Sequence, residues 1–204
     1  MPTTNPHPPK PKRRWYQFSL RTLLVFVLLV SVGLNWLGVK MHQARKQREA
    51  VEAILEAGGE VAYGYQFKED GASVPGATPP GPAWLRKLLG DDFFRDVIRV
   101  SLELDSGGAE LEHLEGLSEL RRVNLASTQV TDVGLEHIKG LTKLETLFLD
   151  DTKITDTGLE HLKGLTNLKS LGLSHTQVTD EGTKNLQEAL PNCVIDLLPL
   201  PPAR

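Results

Sequence analysis

Between residues 111 and 182 the apolar positions recur at fixed offsets through three successive blocks of 24 residues, LEHLEGLSELRRVNLASTQVTDVG, LEHIKGLTKLETLFLDDTKITDTG and LEHLKGLTNLKSLGLSHTQVTDEG. In the middle block they are Leu141, Leu144, Leu147, Leu149 and Ile154, with equivalents from Leu117 to Val130 and from Leu165 to Val178. Such a period marks stacked repeats, where each unit buries its apolar face only against its neighbours. Leu147-Phe148-Leu149 alternates as a short strand, turning both leucines inward and Phe148 outward. Thr155 and Asp156 then bring an oxygen acceptor and a negative charge to the start of an outer helix, Gly158 permits close packing, and Leu159 and Leu162 face the core. Thr131, Asp132, Gly134, Leu135 and Ile138 take these roles one block earlier, and Thr179, Asp180, Gly182 and Leu186 one block later. Weaker copies flank the three blocks: Val100 and Leu102 lie 23 residues before Val123 and Leu125, and Ile195 and Leu197 lie 24 after Leu171 and Leu173. Five parallel strands are expected.

Upstream the pattern changes. Residues 22–39, TLLVFVLLVSVGLNWLGV, hold no charged side chain, and 18 helical residues span about 27 Å, close to a hydrocarbon core of about 30 Å. Trp15, Tyr16 and Phe18 place aromatic rings at one border. A single transmembrane helix follows from this pattern. The competing reading is a cleaved signal peptide, with Ser31, Val32 and Gly33 at cleavage-like spacing and release after Gly33; the apolar run, however, continues to Val39, as an anchor's does. Residues 40–57 are rich in helix formers with Val51, Ile54 and Leu55 on one stripe, and Gly58 and Gly59 close that helix. Val61 to Phe67 alternates as a strand. The stretch from Gly71 to Pro82 has four prolines and reads as a loop. Trp84 to Leu89, with Phe93 and Phe94, predicts a helix that covers the open end of the first repeat.

These elements divide the chain into a disordered basic tail (1–21), a membrane helix (22–39), a helix-strand capping segment (40–70), a loop (71–82), the repeat domain (83–198) and a tail (199–204). Charge refines the division. Residues 1–48 carry nine basic side chains and no acid, and the rest carry 14 basic and 26 acidic ones, giving +9 and −12. The acidic part is a poor match for nucleic acid, whose phosphates are bound by Lys and Arg, and the basic part suits the flanks of a membrane span. Basic residues lie on both sides of the span; a short, wholly basic tail favours the cytoplasm, and a long folded domain crosses regardless of charge. The expected localisation is a single-pass membrane protein with a cytoplasmic N-terminus and extracytoplasmic repeats. The lone cysteine, Cys193, excludes an intramolecular disulfide and sits where a packed thiol is expected.

The leucine offsets fit L-x-x-L-x-x-L-x-L-x-x-(N/C/T)-x-(I/V), and over about residues 95–198 the chain resembles the leucine-rich-repeat family. QVTDVGLEHI, KITDTGLEHL and QVTDEGTKNL are similar to the I-T-D-x-G-L form of its cysteine-containing subclass and of many bacterial members. The family's Asn or Cys ladder position holds Thr128, Thr152 and Thr176 here, whose hydroxyls can still bond backbone inside the turn. The resemblance implies an α/β fold: a short leucine-rich-repeat solenoid of about five parallel strands with outer helices, preceded by the single transmembrane helix. It also implies that partners bind the concave strand face.

Aligning the strands on that face puts Ser101, Asn124, Phe148, Gly172 and Asp196 in one row. Arg99, Arg122, Thr146 and Ser170 run on one flank, and Glu103, Ala126, Asp150 and Ser174 on the other. Phe148 is the leading candidate to anchor a partner, ahead of Asn124, Gly172, Arg122, Thr146, Asp150 and Ser174; alternatively its ring simply shields the strands. His113, His137 and His161 recur every 24 residues. Equivalent atoms of successive repeats lie in a row at least about 4.8 Å apart, so three cannot converge on zinc at about 2.1 Å. Beside Glu112, Glu136 and Glu160 they read as a solvated ladder, and no metal or cofactor is expected. Asp91-Asp92 and Asp150-Asp151 are neighbours that a strand would point opposite ways, and no nucleophile has an activating context, so no enzyme is expected. The chain therefore reads as a membrane-anchored module for an unknown protein partner. A structural envelope protein assembling as a homo-oligomer through its repeats, and a secreted binder, are the alternatives.

Overall fold

The structure, a computed structural model, describes residues 20–68, 72–102 and 109–197. The basic tail before residue 20, Glu103, Gly71 and the residues after 197 lie outside the described residues. The chain divides into two compact units between Val39 and Lys40. Helix α1, Leu20–Glu56, contributes to both.

In the first unit, residues 20–39 of α1 form a helix whose apolar side chains, among them Leu24, Phe26, Leu28 and Leu29, are exposed. Ser31 donates its hydroxyl to the Val27 carbonyl at 2.8 Å, satisfying the group within the helix. The helix is long and apolar enough to be a candidate membrane span, a test that a signal sequence passes too.

The second unit is built on one sheet in which strand order follows sequence order. Strand β1 (Glu60–Tyr63) runs antiparallel to β2 (Val97–Ser101), and β3 (Arg122–Asn124), β4 (Thr146–Phe148), β5 (Ser170–Gly172) and β6 (Val194–Asp196) follow in parallel. The five parallel strands are those expected; β1 adds an antiparallel edge and is shorter than the expected Val61 to Phe67, because Gly64–Gln66 turn as a 3₁₀ helix. Val100, Val123, Leu147, Leu171 and Ile195 share one register row, and the first four are fully buried. The ladder continues past the strands through Leu125, Leu149 and Leu173, whose N–H groups donate to the next repeat's carbonyl at 2.8–2.9 Å.

The outer layer is shorter than the helices expected. Helix α3 (Asp132–Leu135) and α4 (Asp156–Leu159) are single turns, each followed by a 3₁₀ turn, Glu136–Ile138 and Glu160–Leu162. A repeat of 24 residues that must also make a strand and two turns leaves room for little more. Helix α5 (Asp180–Ala189), with no full repeat after it, extends to ten residues.

The capping expectation needs correction. Helix α2 (Ala83–Leu89) forms where predicted but buries none of its residues, and Trp84 and Leu88 are 69% and 73% exposed. Within the second unit the end of α1, inside the 40–70 segment also expected to cap, joins the core. Gln47, Ala50, Val51 and Ile54 are buried, a stripe of i, i+3, i+4 and i+7, whereas Leu55 is exposed. The helix stops in a Schellman arrangement: Gly58 adopts φ 80°, and the Gly58 and Gly59 N–H groups donate to Leu55 and Ile54 at 3.1 and 2.8 Å.

Candidate functional site

The strand-face rows expected from the sequence coincide with the observed register. Ser101, Asn124, Phe148, Gly172 and Asp196 are successive partners, as are Arg99, Arg122, Thr146 and Ser170. Because Val100, Val123 and Leu147 point inward, the residues on either side of each point outward. Phe148 and Thr146 are half-buried and Arg122 is exposed.

Two of the named positions are committed to the scaffold. Asn124 accepts from the Ala126 N–H at 3.1 Å and donates to Ser101 at 3.3 Å, which holds its amide along the strands. Asp150 accepts from the Ser174 N–H at 2.9 Å, and its carboxylate lies over Gly172, where a Cβ would collide with it. Gly172 and Ser174 are consequently buried, and the surface there is the Asp150 carboxylate.

The threonine and aspartate positions tie each repeat to itself and to the next. Thr128, Thr152 and Thr176 are buried and donate to the carbonyls of Leu125, Leu149 and Leu173 at 2.6, 2.6 and 2.7 Å. Asp132 reaches into the next repeat, accepting from the Thr155 N–H at 2.8 Å and hydroxyl at 2.6 Å, and Asp156 does the same to Thr179 at 2.8 and 2.7 Å. Gly158 and Gly182 lack a Cβ where that carboxylate passes. Threonine caps its own helix less uniformly: Thr155 accepts from Thr157 and Thr179 from Gly182, but Thr131 makes no side-chain cap. One residue per repeat, Ser127, Asp151 and His175, turns the chain at φ 61°, 55° and 58°. Asp and His tolerate that left-handed region better than most residues.

Charged partners bridge the repeats. Lys143 pairs with Glu119 at 2.6 Å, and Glu145 with Arg121 at 3.1 Å and Lys169 at 2.6 Å. The hydrogen bond from Lys169, with Arg121 nearby, holds the Glu145 carboxyl below the usual glutamate value. His137 contacts Glu115 at 2.9 Å, a partner from the preceding repeat. Among the described residues no three His, Cys, Asp or Glu side chains gather in metal-binding geometry. Buried Cys193 has its thiol pushed up by desolvation.

At the edge of the strand face lies a feature that the sequence did not reveal. A cleft of about 430 Å³ is lined by Phe67 and Lys68 from the segment after β1, by Ile98, Arg99 and Arg122 from the strands, and by Arg121. The Arg99 guanidinium stacks over the Phe67 ring at 4.5 Å.

The leucine rich repeat family model matches residues 118–178. The fold is an α/β one with a mostly parallel sheet, like that of leucine-rich-repeat proteins. No curated protein matches the chain. Among solved structures it is similar to an internalin from Listeria monocytogenes, at 27% identity and a TM-score of 0.37 over 42% of this chain and 24% of that one. It is also similar to internalin C2 from the same organism, at 32% identity and a TM-score of 0.37 over 43% and 36% of the two chains. A leucine-rich-repeat protein of Leptospira interrogans matches at 22% identity and a TM-score of 0.35 over 42% and 21%. The chain thus spans about a third or less of the length of these structures. A leucine-rich-repeat segment suggests protein–protein interaction, and nothing indicates enzymatic activity.

Proposed function

We propose that this chain is a membrane-anchored protein-interaction module that binds a protein partner through its strand face. The observation that carries the reading is the register itself: five parallel strands align outward side chains that the core does not use. Phe148 supplies the anchor at the centre, Arg122 and Thr146 flank it on one side, and the Asp150 carboxylate over Gly172 flanks it on the other. Asn124 and Ser174 hold the backbone at the rim of the same patch. The repeats follow the I-T-D-x-G-L form similar to the cysteine-containing subclass and to bacterial members.

Residues 22–39 form the anchor, preceded by the basic tail of 1–21 on the cytoplasmic side and followed by the capping segment 40–70, the loop 71–82 and the repeat domain 83–198, which stands outside. The exposed apolar side chains of Phe26, Leu28 and Leu29, and the Ser31 hydroxyl satisfied inside its own helix, suit a lipid surrounding. A reporter fused to the C-terminus is expected outside the cytoplasm. Binding is tested by affinity capture with the full chain in detergent. Phe148→Ala and Thr146→Arg, at outward strand positions, are expected to lose the captured polypeptide, and Lys163→Ala on the outer layer to keep it. Retention by both strand-face variants removes this reading, and concentration-dependent self-association lost in the same variants favours homo-oligomeric assembly instead.

A further inference from the structure

Arg99 and Arg122 are register partners on adjacent parallel strands, so two guanidinium stems start about 4.8 Å apart. Like charges side by side on a sheet are destabilising unless something compensates them. Among the described residues neither has a carboxylate partner, although arginines elsewhere in this unit do: Arg95 and Arg86 pair with Asp91, and Arg121 with Glu145. The Arg99 Nε is buried without a hydrogen-bond partner, as are those of Arg86 and Arg95, but Arg86 and Arg95 have Asp91 beside them. Desolvation, and secondarily the charge of Arg122, lower the Arg99 pKa, and no acid counters them.

Both arginines line the 430 Å³ cleft, and its acids are largely engaged elsewhere. Glu119 is held by Lys143, and Glu145 by Arg121 and Lys169. Asp96 is exposed, and its backbone carbonyl accepts from the Gly64 N–H at 2.9 Å. Lys68 adds a further positive charge, and Phe67 and Ile98 add an apolar wall. Two guanidinium groups without carboxylate partners, beside an aromatic plane, fit a planar monoanion carried on a short apolar stem.

We infer that the cleft formed by Arg99, Arg122, Phe67 and Lys68 is a carboxylate-binding subsite that receives an acidic side chain of the polypeptide partner. The inference rests on the strand-face reading and gives the partner its chemistry: an acidic residue bound at the β1 end of the face. Phosphate, with its second charge, is the poorer match because the exposed Asp96 shares the lining.

The test uses the full chain in nanodiscs of neutral phosphatidylcholine and a fluorescent, N-acetylated and C-amidated tetraglutamate peptide, with tetraglutamine as its control. Fluorescence anisotropy is expected to show tetraglutamate binding and no tetraglutamine binding. Arg122→Gln, at an exposed position, is expected to weaken binding about tenfold or more, the scale of a charge-assisted hydrogen bond. Arg99→Gln is expected to do the same while still unfolding in a single cooperative transition, and Lys184→Gln, the same charge change on α5, to leave affinity within about twofold. Equal binding of the two peptides, no response to either arginine change, or equal loss in Lys184→Gln overturns the inference. So does displacement of the peptide by micromolar inorganic phosphate, which reassigns the cleft to phosphate. Protection of Arg122 from phenylglyoxal by phosphatidylglycerol in the nanodisc, but not by the peptide, reassigns it to lipid and likewise overturns the inference. Phe148 lies outside the cleft, so Phe148→Ala still abolishing capture of the partner when these peptide tests fail would sink the subsite alone and leave the strand-face reading standing.

Discussion

Asp132 and Gly158 belong to different repeats, and the structure predicts that their substitutions are strongly coupled. The Asp132 carboxylate accepts two hydrogen bonds from Thr155, at 2.8 and 2.6 Å. At about 0.5–1.5 kcal/mol each, their loss in Asp132→Ala costs about 1–3 kcal/mol. Gly158 sits in a helical turn, where alanine ordinarily gains up to about 1 kcal/mol over glycine. Here the new Cβ would strike the Asp132 carboxylate and approach the Ile154 Cγ2 to 3.1 Å, so Gly158→Ala displaces the carboxylate and destabilises by a similar amount to Asp132→Ala. With Asp132 already removed, only the Ile154 contact remains, and Gly158→Ala becomes close to neutral. The double variant is therefore expected to be about 1–3 kcal/mol more stable than the sum of the single effects, outside the scatter of independent sites. Urea unfolding of the full chain in detergent, followed by far-UV circular dichroism, measures the cycle, and faster hydrogen exchange at the Thr155 amide in Asp132→Ala reports the broken contact directly. Additivity within about 0.5 kcal/mol, or an unchanged Thr155 amide, refutes the reasoning.

Other consequences follow from single groups. Thr152→Val keeps the shape but leaves the buried Leu149 carbonyl without the hydroxyl now 2.6 Å away, and urea unfolding is expected to register a loss of about 1–3 kcal/mol. Glu145 is held below its ordinary value by Lys169 and Arg121, so it binds a proton less readily in the folded state than in the unfolded one. Its contribution is present above the ordinary glutamate value and is lost as pH falls through the lower folded one. Acid titration of Glu145→Gln should therefore show a shallower loss of stability than the parent, and high salt should narrow the difference because the pairs are partly solvated. Cys193 is 4% exposed with a raised thiol pKa, so iodoacetamide at neutral pH is expected to label it only as fast as the last coil opens, with labelling rising steeply in urea.

How much of this was legible in the sequence depends on the range of each interaction. The leucine offsets translate directly into burial, because a residue such as Leu147 is placed inward by strand alternation within its own repeat, and the fixed period then sets the register of every parallel strand. The threonine hydroxyls were legible for the same reason, since each bonds a carbonyl three residues back. Asp132 and Asp156 were read as local helix charges, but their partners lie 23 residues ahead, and only the stacked coordinates show that the following glycine makes way for them. Two segments are expected to cap, 40–70 and the helix of Trp84 to Leu89; α2 stays exposed although Trp84 and Leu88 are more apolar than the Gln47 to Ile54 stripe that is buried, because hydrophobicity alone does not say which helix faces the sheet. On the strand face the rows were recoverable, whereas the cleft was not. Its wall comes from Phe67 and Lys68, brought beside Arg99 by the antiparallel edge strand β1, and that pairing left no mark in the repeat pattern.

In the proposed function the strand face, and not the outer layer, meets the partner. Site-specific photo-crosslinking in cells expressing the full anchored chain tests it most directly, with a benzoylphenylalanine replacing Phe148 in one experiment and Lys163 in another. A discrete crosslinked polypeptide from position 148, competed by the unlabelled chain and absent from position 163, is the expected result. Crosslinking from position 163 with none from position 148 contradicts the account.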